Sequence, residues 1–324
     1  MSERKRIVLT GATGEIGSAL TPALAKEGYE IIAFSRNPDA ARHKVPGAAE
    51  YAKWTTDDVS QWADYLNNAY GVINCAGENM FAKRYTKTYG RRVVGSRIAS
   101  AHALIDAMRK VSHKPTVFIN SSSQGFYGIN DFDDHLIDED SPAGNDQWGP
   151  EAALIDREAF KAESIGVRVV SLRIGYVLDW RVGGLPTQVE RESKGQGGAT
   201  TPVRAWRSWI HIDDLVALYL FALRNEQVIG PLNGTAPNPV TSEYFANALS
   251  LTVIGKPNKR RFPGFLLRLL MGPAADIITH GKRIIPRKAL SLGFDFGYPT
   301  IEEALRDLVP KIQQQATSIA HSAK

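Results

Sequence analysis

The stretch that most constrains the fold is RIVLTGATGEIG, close to the start of the chain. RIVLT has the apolar composition of a buried strand, and EIGSALTPALAKEG after it is predicted as a helix. Gly11, Gly14 and Gly17 lie at this junction, where glycine allows a tight turn and lets a phosphate approach the backbone. The helix start presents free N–H groups and the positive end of its dipole to that phosphate. A glycine triplet alone is weak evidence, but one between a strand and a helix predicts dinucleotide binding.

Two groups of residues are expected to contact the dinucleotide. In the glycine loop they are Gly11, Thr13, Gly14, Glu15, Ile16 and Gly17, and after the fourth predicted strand they are Cys75, Ala76 and Gly77. The alternative for the glycine loop is a turn with a purely structural role.

The end of the second predicted strand bears on which dinucleotide is bound. An acidic residue there would bind the ribose hydroxyls of NAD, but the chain has Ser35 and Arg36. Because a guanidinium can pair bidentately with a 2′-phosphate, NADP(H) is favoured over NAD(H). Arg36 could instead be a solvated surface residue. Asp57 is expected to accept a hydrogen bond from the adenine, although Asp57 or Asp58 could equally cap the following helix.

Strand-like and helical segments alternate through the first half of the chain. The further predicted strands are EIIAFS, AEYAKW, GVINCAG, TVFINSSS and GVRVVSLRIG. A long helix is predicted from 86 to 111, because its apolar residues recur about every 3.6 positions. This alternation predicts an α/β fold, a Rossmann-type doubly wound parallel sheet with helices on both faces.

The pattern loosens beyond residue 175, where a glycine-rich polar stretch is typical of a loop over a site. We predict a dinucleotide-binding domain over 1–175, with 208–235 crossing back to it. A smaller mixed α/β C-terminal substrate lobe would comprise 176–207 and 236–310, and 311–324 would be a frayed tail.

Composition limits the classes of partner. The chain has 39 basic and 34 acidic residues, and this mild excess fits an anionic ligand without requiring nucleic acid. The single cysteine cannot form an intrachain disulfide, so we expect a reducing, cytoplasmic location. No apolar run approaches the ~18 residues of a membrane span. The longest, FPGFLLRLLMGP, contains Arg268 and is predicted to be a packed helix, and no membrane contact is expected.

Seven blocks in order resemble the extended, atypical short-chain dehydrogenase/reductase superfamily. They are similar to its "epimerase family" branch of NAD(P)-binding proteins, which carries its own C-terminal domain of unknown function. The blocks are TGATGEIG, NCAGENMFAKRYTKTYGRRVVGSRI, SSSQGFYG, LRIGYVLD, SWIHIDDL, NGTAPNPVTSEYFANAL and RIIPRKALSLGFDFGYPTIEEAL. In that branch the second block carries Arg-Trp, where this chain has Arg84-Tyr85. The segment 145–158 also departs from the branch and keeps little beyond Glu158.

The resemblance implies an oxidoreductase or epimerase reaction, but the residues that usually transfer the proton are absent from this chain. In the wider superfamily a tyrosine transfers the proton, and a lysine four residues later, on the same helix face, lowers its pKa. Aligned on Glu158, these positions are Pro150 and Leu154, and none of the eleven tyrosines has a lysine four residues later. The resembled branch usually lacks the pair as well, so its absence is a family trait.

Three other residues are candidates for catalysis. Ser123, by its distance from Tyr127 in SSSQGFYG, matches the superfamily's active-site serine, although it could only cap the strand end. Tyr127 is the nearest phenol but could be a core residue. His211 titrates near neutrality but could be a structural histidine.

Four residues are candidates for binding a substrate. Glu78 and Arg84 follow the fourth strand, although Glu78 with Arg84 or Arg97 could form a plain ion pair. Arg207 and Trp209 lie in RSWIHIDD, and in nucleotide-sugar enzymes of the superfamily a similarly placed arginine holds a substrate phosphate.

Two functions remain open on the sequence. One is an NADP(H)-dependent oxidoreductase or epimerase-like enzyme acting on a small polar or anionic substrate. The other is a non-catalytic NADPH-binding redox sensor or scaffold. No metal is expected, because the acidic run 131–140 does not have a recognisable spacing of metal ligands. Its carboxylates are interpreted as solvated surface charge. A homodimer through the long helix is expected by analogy alone.

Overall fold

A seven-stranded parallel sheet forms the centre of the molecule, with strand order β12-β7-β5-β4-β1-β2-β3. The computed structural model describes residues 5–129 and 134–322, and side chains up to residue 318. The strands are β1 Arg6–Thr10, β2 Glu30–Ser35, β3 Glu50–Lys53, β4 Gly71–Asn74, β5 Val117–Ser123, β6 Leu136–Ile137, β7 Arg168–Ile174, β8 Tyr176–Leu178, β9 Ala199–Thr200, β10 Trp206–Arg207, β11 Trp209–His211, β12 Gly230–Gly234, β13 Val240–Thr241, β14 Arg261–Phe262 and β15 Arg283–Ile284. The doubly wound parallel sheet predicted from the sequence is confirmed.

Helices cover both faces of this sheet. They are α1 Glu15–Lys26, α2 Pro38–Lys44, α3 Lys87–Lys110, α4 Trp148–Phe160, α5 Gly184–Ser193, α6 Ile212–Arg224, α7 Ser242–Ile254, α8 Gly264–Met271, α9 Ala274–Thr279, α10 Arg287–Ser291 and α11 Ile301–Ser322. Short 3-10 helices cover Val59–Gln61, Ala63–Leu66, Gln124–Tyr127 and Lys161–Ile165. The long helix predicted for 86–111 is α3, and whether it forms a dimer interface stays a prediction.

Alternation along each strand divides the core into two layers. In β1, Ile7 and Leu9 join the cluster packed against α1 and α6, while Val8 joins the cluster packed against α3. Successive strand side chains point to opposite faces, so a strand buried on both sides is apolar throughout.

The polar residues that end four of the parallel strands lie at one edge of the sheet. Because β1 pairs in parallel with both β2 and β4, the chain runs outward in opposite directions from β1. Crevices at such a reversal of strand order, beside the carboxyl ends of the strands, are where ligands bind in open α/β sheets. Thr10, Ser35, Asn74 and Ser123 end the four strands β1, β2, β4 and β5 there.

The second half of the chain contributes both to this sheet and to a smaller region. Residues 230–234 form β12, which pairs with β7 at the sheet edge. Short strand pairs and the helices α5, α7 and α11 surround a separate apolar cluster. The division into domains stays a prediction.

The predicted frayed tail over 311–324 is wrong for the part that the structure describes. Helix α11 continues to Ser322, and Ile312 is buried. The reason is the spacing of Leu305, Leu308, Val309 and Ile312, which lie on one helix face and pack against the cluster with α5 and α7.

The prediction that FPGFLLRLLMGP packs into the protein is also wrong. The segment forms α8, but none of that helix's residues is buried. Within 5–129 and 134–322, no helix is long and apolar enough to cross a membrane.

Candidate functional site at the carboxyl edge of the sheet

The glycine loop is wedged between the end of β4 and the start of α1. Gly11 has φ +67, and a Cβ atom built on it would lie 2.5 Å from the carbonyl oxygen of Cys75. A Cβ on Gly17 would lie 2.3 Å from the carbonyl oxygen of Gly11. Any side chain at either position would therefore push the loop away from its neighbours. The geometry gives physical reasons for both glycines.

The N-terminus of α1 is open to an anion. Gly14 is the N-cap in an extended conformation, and no side chain caps the helix. The first N–H groups, those of Glu15, Ile16 and Gly17, are therefore available to bind phosphate oxygens together with the helix dipole. Thr13 lies beside them in the loop and is partly exposed.

An acidic cluster that the sequence did not predict borders this helix start. The Arg181 guanidinium donates to Asp179 Oδ1 at 3.0 Å, to Asp179 Oδ2 at 2.5 Å and to the Glu15 carbonyl oxygen at 3.3 Å. Burial, and the neighbouring Asp179 carboxylate, raise the pKa of Glu15 to about 7, against the lowering effect of Arg181. The end of LRIGYVLD, followed by Trp-Arg, is the signal that could have pointed to this cluster.

The end of β2 presents an uncommitted guanidinium. Arg36 is exposed, and no ion pair in the described part of the chain includes it. The Ser35 hydroxyl is occupied by the backbone of Asn37, from which it accepts at 3.1 Å. Asp58 caps the 3-10 helix Val59–Gln61, which leaves Asp57 exposed and able to accept a hydrogen bond.

The residues after β4 are arranged differently from the predicted ion pairs. Glu78 pairs with Arg92 at 3.0 Å, and not with Arg84 or Arg97. Arg97 instead donates to the carbonyl oxygens of Glu78 and Val93, both at 3.0 Å. These bonds hold the backbone after Gly77 in place. The Arg97 guanidinium also lies 2.9 Å from where a Cβ on Gly77 would be, so a side chain there would have to displace it. Both arginines lie on α3, and their hydrogen bonds place that helix beside this segment.

Cys75 and Ala76 also lie after β4, and Arg84 lies farther along the same segment. The Cys75 thiol is within 3.3 Å of the Ser121 hydroxyl, and burial raises its pKa to about 11. A thiol in that state is not a nucleophile at neutral pH. Arg84 is exposed, and its Nε donates to the carbonyl oxygen of Leu269 at 3.3 Å.

Ser123 is the accessible member of the predicted catalytic set. It ends β5 and is exposed, and its Oγ accepts from the Gly125 N–H at 3.0 Å. The hydroxyl proton is not used in that bond, so Ser123 can donate to a substrate oxygen in the crevice.

Tyr127, in contrast, is committed to the protein interior. It is 1% exposed, and its hydroxyl donates to Asn233 Oδ1 at 2.7 Å and accepts from Arg173 at 2.9 Å. Burial raises its pKa to about 12. The predicted catalytic role of Tyr127 does not fit this geometry, because the phenol neither reaches the crevice nor has a free proton.

The Arg173 guanidinium connects that phenol to a buried carboxylate. Its Nε donates to Asp156 Oδ2 at 2.9 Å, and Asp156 Oδ1 accepts from the hydroxyls of Ser122 at 2.5 Å and Ser171 at 2.6 Å. The network ties β5, β7 and α4 together directly beneath Ser123.

His211 is likewise a structural residue. It is the N-cap of α6 and is 0% exposed. Its Nδ1 accepts from the Asp213 N–H at 3.0 Å, its Nε2 contacts Asp307 at 3.1 Å, and its ring stacks on Tyr298. Burial lowers the pKa of His211, which favours the neutral ring. A catalytic role for His211 therefore does not fit.

Among the described residues, one group of three side chains could hold a metal ion, and it lies in this same cluster. Atoms of His211, Asp213 and Asp307 lie within 4.8 Å of one another. Lys311 already pairs with Asp307 at 2.7 Å, and Nδ1 of His211 is used by the helix cap. The acidic run 131–140 lies partly outside the described residues, which do not include 131–133. That no metal is required stays a prediction.

The two predicted substrate residues near β11 differ from each other. Trp209 is fully buried and donates to the Asn238 carbonyl oxygen at 3.1 Å, so it is a core residue rather than a substrate contact. Arg207 lies over the rings of Phe245 at 4.3 Å and Tyr176 at 5.1 Å. No carboxylate of the described ranges pairs with Arg207, and burial lowers its pKa. An anion is the partner that such a guanidinium lacks.

The helix face that would carry the tyrosine–lysine pair is open. Pro150 and Leu154 lie on α4 and are both exposed. Glu151, between them, accepts from the Tyr85 hydroxyl at 3.3 Å, and burial raises the pKa of both groups. Pro150 and Leu154 themselves cannot exchange a proton, and Glu151 is the titratable group beside them.

Comparison with known proteins identifies relatives along most of the chain. Residues 7–233 match the model of the NAD dependent epimerase/dehydratase family, and residues 262–308 match a domain of unknown function, DUF1731. The chain is 31% identical to the Arabidopsis thaliana epimerase family protein SDR39U1 homolog, chloroplastic, over 94% of this chain and 86% of that protein. It is 30% identical to the Bacillus subtilis epimerase family protein YfhF, over 94% and 97%.

Solved structures show the same architecture. The human epimerase family protein SDR39U1, isoform 2, solved with NADPH, aligns with a TM-score of 0.81 at 28% identity, over 94% of this chain and 99% of that one. A nucleoside-diphosphate sugar epimerase from Corynebacterium glutamicum aligns at 0.75 with 26% identity, over 98% of this chain and 62% of that one. The family resemblance read from the sequence blocks is thereby confirmed.

Proposed function

The chain belongs to the NAD dependent epimerase/dehydratase family, and from that premise we propose that it is an NADP(H)-dependent oxidoreductase or epimerase-like enzyme. The observation that carries the proposal is the uncapped start of α1, held against β4 by two glycines that admit no side chain. Such a cradle suits a pyrophosphate. The human relative solved with NADPH supports the choice of cofactor. When bound, NADP(H) would supply or accept the hydride.

The described geometry supports the following contacts to the cofactor. The N–H groups of Glu15, Ile16 and Gly17 would bind the pyrophosphate, and Arg36 would bind the 2′-phosphate. Asp57 would bind the adenine amino group. Cys75, Ala76 and Gly77 would line the crevice beside the sugar, where the backbone is fixed by Arg97.

On the reaction side, the protein would position the substrate rather than exchange protons through a phenol. Ser123 would donate to the substrate oxygen, as its exposed hydroxyl allows. Tyr127 and His211 are committed to internal hydrogen bonds, so the proton would come from water reaching the open Pro150–Leu154 face of α4. Glu78, partly exposed and paired with Arg92, is the other group that could pass it on.

The substrate is proposed to be small and anionic or polyhydroxylated. Arg207 is the group that favours an anion, because its guanidinium lies on two aromatic rings without a carboxylate partner among the described residues. Arg84, the other predicted basic residue, is bonded to the backbone of α8 and is not assigned a substrate contact. The single thiol fits the reducing conditions of the cytoplasm.

Oxidation of NADPH, followed with a panel of phosphorylated and polyhydroxylated carbonyl compounds, tests the proposal. We expect turnover that falls about 100-fold in Ser123→Ala with unchanged NADPH affinity, as for loss of one hydrogen bond to a developing charge. Tyr127→Phe should keep its rate per folded molecule. Equal rates for Ser123→Ala and the wild type would remove the proposed role of that serine.

The second candidate is a non-catalytic NADPH sensor or scaffold. It is favoured by the missing tyrosine–lysine pair at Pro150 and Leu154. A sensor would bind NADPH and NADP+ with different affinities and would not turn over with any carbonyl compound of the panel, whereas the enzyme proposed first would.

A further inference from the structure

Helix α8 turns its apolar face toward solvent. Phe265, Leu269 and Leu270 are 70%, 69% and 71% exposed, and Leu266 is 47% exposed. At about 100° per residue these four side chains fall within an arc of about 140° on one side of the helix. An amphipathic helix of a globular protein normally points that side at the core. We call these four residues, together with Phe81, the α8 patch.

The patch is anchored to the rest of the protein through its backbone. Arg84 Nε donates to the Leu269 carbonyl oxygen at 3.3 Å, and the Tyr85 N–H donates to the Met271 carbonyl oxygen at 2.8 Å. These bonds join α8 to the segment after β4, on which Phe81 is also 47% exposed. The apolar surface therefore spans two segments that are distant in sequence, which a frayed or unfolded stretch would not produce.

Basic side chains follow Phe81 on the segment that is bonded to α8. Lys83, Arg84 and Lys87 lie there, and all three are exposed. No carboxylate of the described ranges pairs with any of them. The nearby acidic groups are already used, since Asp276 pairs with Arg268 at 3.4 Å and Glu243 pairs with Arg261 at 2.9 Å. We call these basic side chains beside the α8 patch the basic collar, and their positive charge is not neutralised by a described carboxylate.

We propose that the α8 patch docks on the surface of a membrane that contains anionic lipids. Exposed leucine and phenylalanine side chains would enter the boundary between headgroups and acyl chains, and the basic collar would lie against the anionic headgroups. The charge argues against a second copy of the chain, because a symmetric pair would place two basic collars against each other. The proposal concerns a surface separate from the cofactor cradle and does not depend on nucleotide binding.

Sedimentation with vesicles tests the proposal on the full-length chain. We expect binding to vesicles of phosphatidylcholine with phosphatidylglycerol, much weaker binding to phosphatidylcholine alone, and weakening as salt is raised. The double variant Leu269→Ser/Leu270→Ser should bind at least about tenfold more weakly, because it removes apolar surface that would be buried. Lys83→Ala/Lys87→Ala should lose the preference for anionic vesicles.

A matched control is available on another surface. Leu251, on α7, is 51% exposed, and Leu251→Ser should bind vesicles like the wild type. The proposal is overturned if the wild type does not sediment with anionic vesicles at low salt, or if the two leucine variants behave alike. It is also overturned if light scattering shows a dimer that Leu269→Ser/Leu270→Ser converts to a monomer. NADPH affinity should be unchanged in every variant, which separates this result from the proposed function.

Discussion

The two sides of the crevice differ in how their residues are used. On the side of β1 and α1, backbone N–H groups are left open, and Gly11 and Gly17 leave no room for a side chain at their own positions. On the side of β5 and α4, polar side chains are plentiful, but Tyr127, Asp156 and Arg173 satisfy one another inside the protein. Ser123 alone of the predicted catalytic residues faces the crevice.

This difference shows that residue type alone does not identify a catalytic group. A phenol or an imidazole acts on a substrate only if its polar atoms are not already committed. In this chain the binding side is prepared for a ligand, while the reaction side is reinforced by a buried network. The following changes should separate the two sides, beginning with the largest effect.

Breaking the buried network should mainly reduce stability. Asp156→Asn leaves Arg173 without its carboxylate, and loss of one partner of a buried pair costs about 3–5 kcal/mol of unfolding free energy. Urea unfolding measures this, and Asp106→Asn is the control, because Asp106 pairs with Arg109 on the surface. The control should lose at most about 1 kcal/mol. Similar losses in both variants would mean that the buried network adds no more to stability than an exposed ion pair does.

Filling the cradle should mainly reduce binding. Gly17→Ala places a methyl group 2.3 Å from the Gly11 carbonyl oxygen, so the loop must move. We expect NADPH affinity to fall about 100-fold, from about 3 kcal/mol of overpacking. Gly95→Ala is the control, since a Cβ there meets nothing within 4 Å. Normal affinity in Gly17→Ala would place the nucleotide elsewhere.

The Glu15 carboxyl should make binding depend on pH. Its pKa of about 7 means that it gains a negative charge next to the pyrophosphate site as pH rises through 7. If the bound nucleotide keeps it protonated, NADPH affinity should fall about tenfold between pH 6 and pH 8. Glu15→Gln should remove that part of the dependence, while the contribution of the 2′-phosphate itself remains in both proteins. Parallel pH profiles for the two proteins would contradict this effect of Glu15.

The smallest effect concerns selectivity between the two nucleotides. Arg36→Ala should weaken NADPH binding about fivefold, because an exposed ion pair is worth at most about 1 kcal/mol. NADH lacks the 2′-phosphate and should bind the variant and the wild type equally. Equal loss for both nucleotides would place Arg36 away from the 2′-phosphate.

The sequence predicted those features that depend on the backbone. The parallel sheet, the long helix α3 and the glycine loop were all readable, because apolar periodicity and glycine positions act locally. The partners of Glu78 and the Asp179–Arg181 pair beside Glu15 were not, since they depend on which segments meet in space. For Tyr127 and His211 the sequence left a structural and a catalytic role open for the same reason. The outward apolar face of α8 was misread for the same reason, as composition does not tell which side of a helix is covered.

A fluorescence titration of the purified protein with NADPH, and with NADH alongside, tests the central claim most directly. An intact cradle at the start of α1, with Arg36 free at the end of β2, predicts tight binding of NADPH and weaker binding of NADH. Failure of both nucleotides to bind would contradict it, and the open helix end would then need another anion as its ligand.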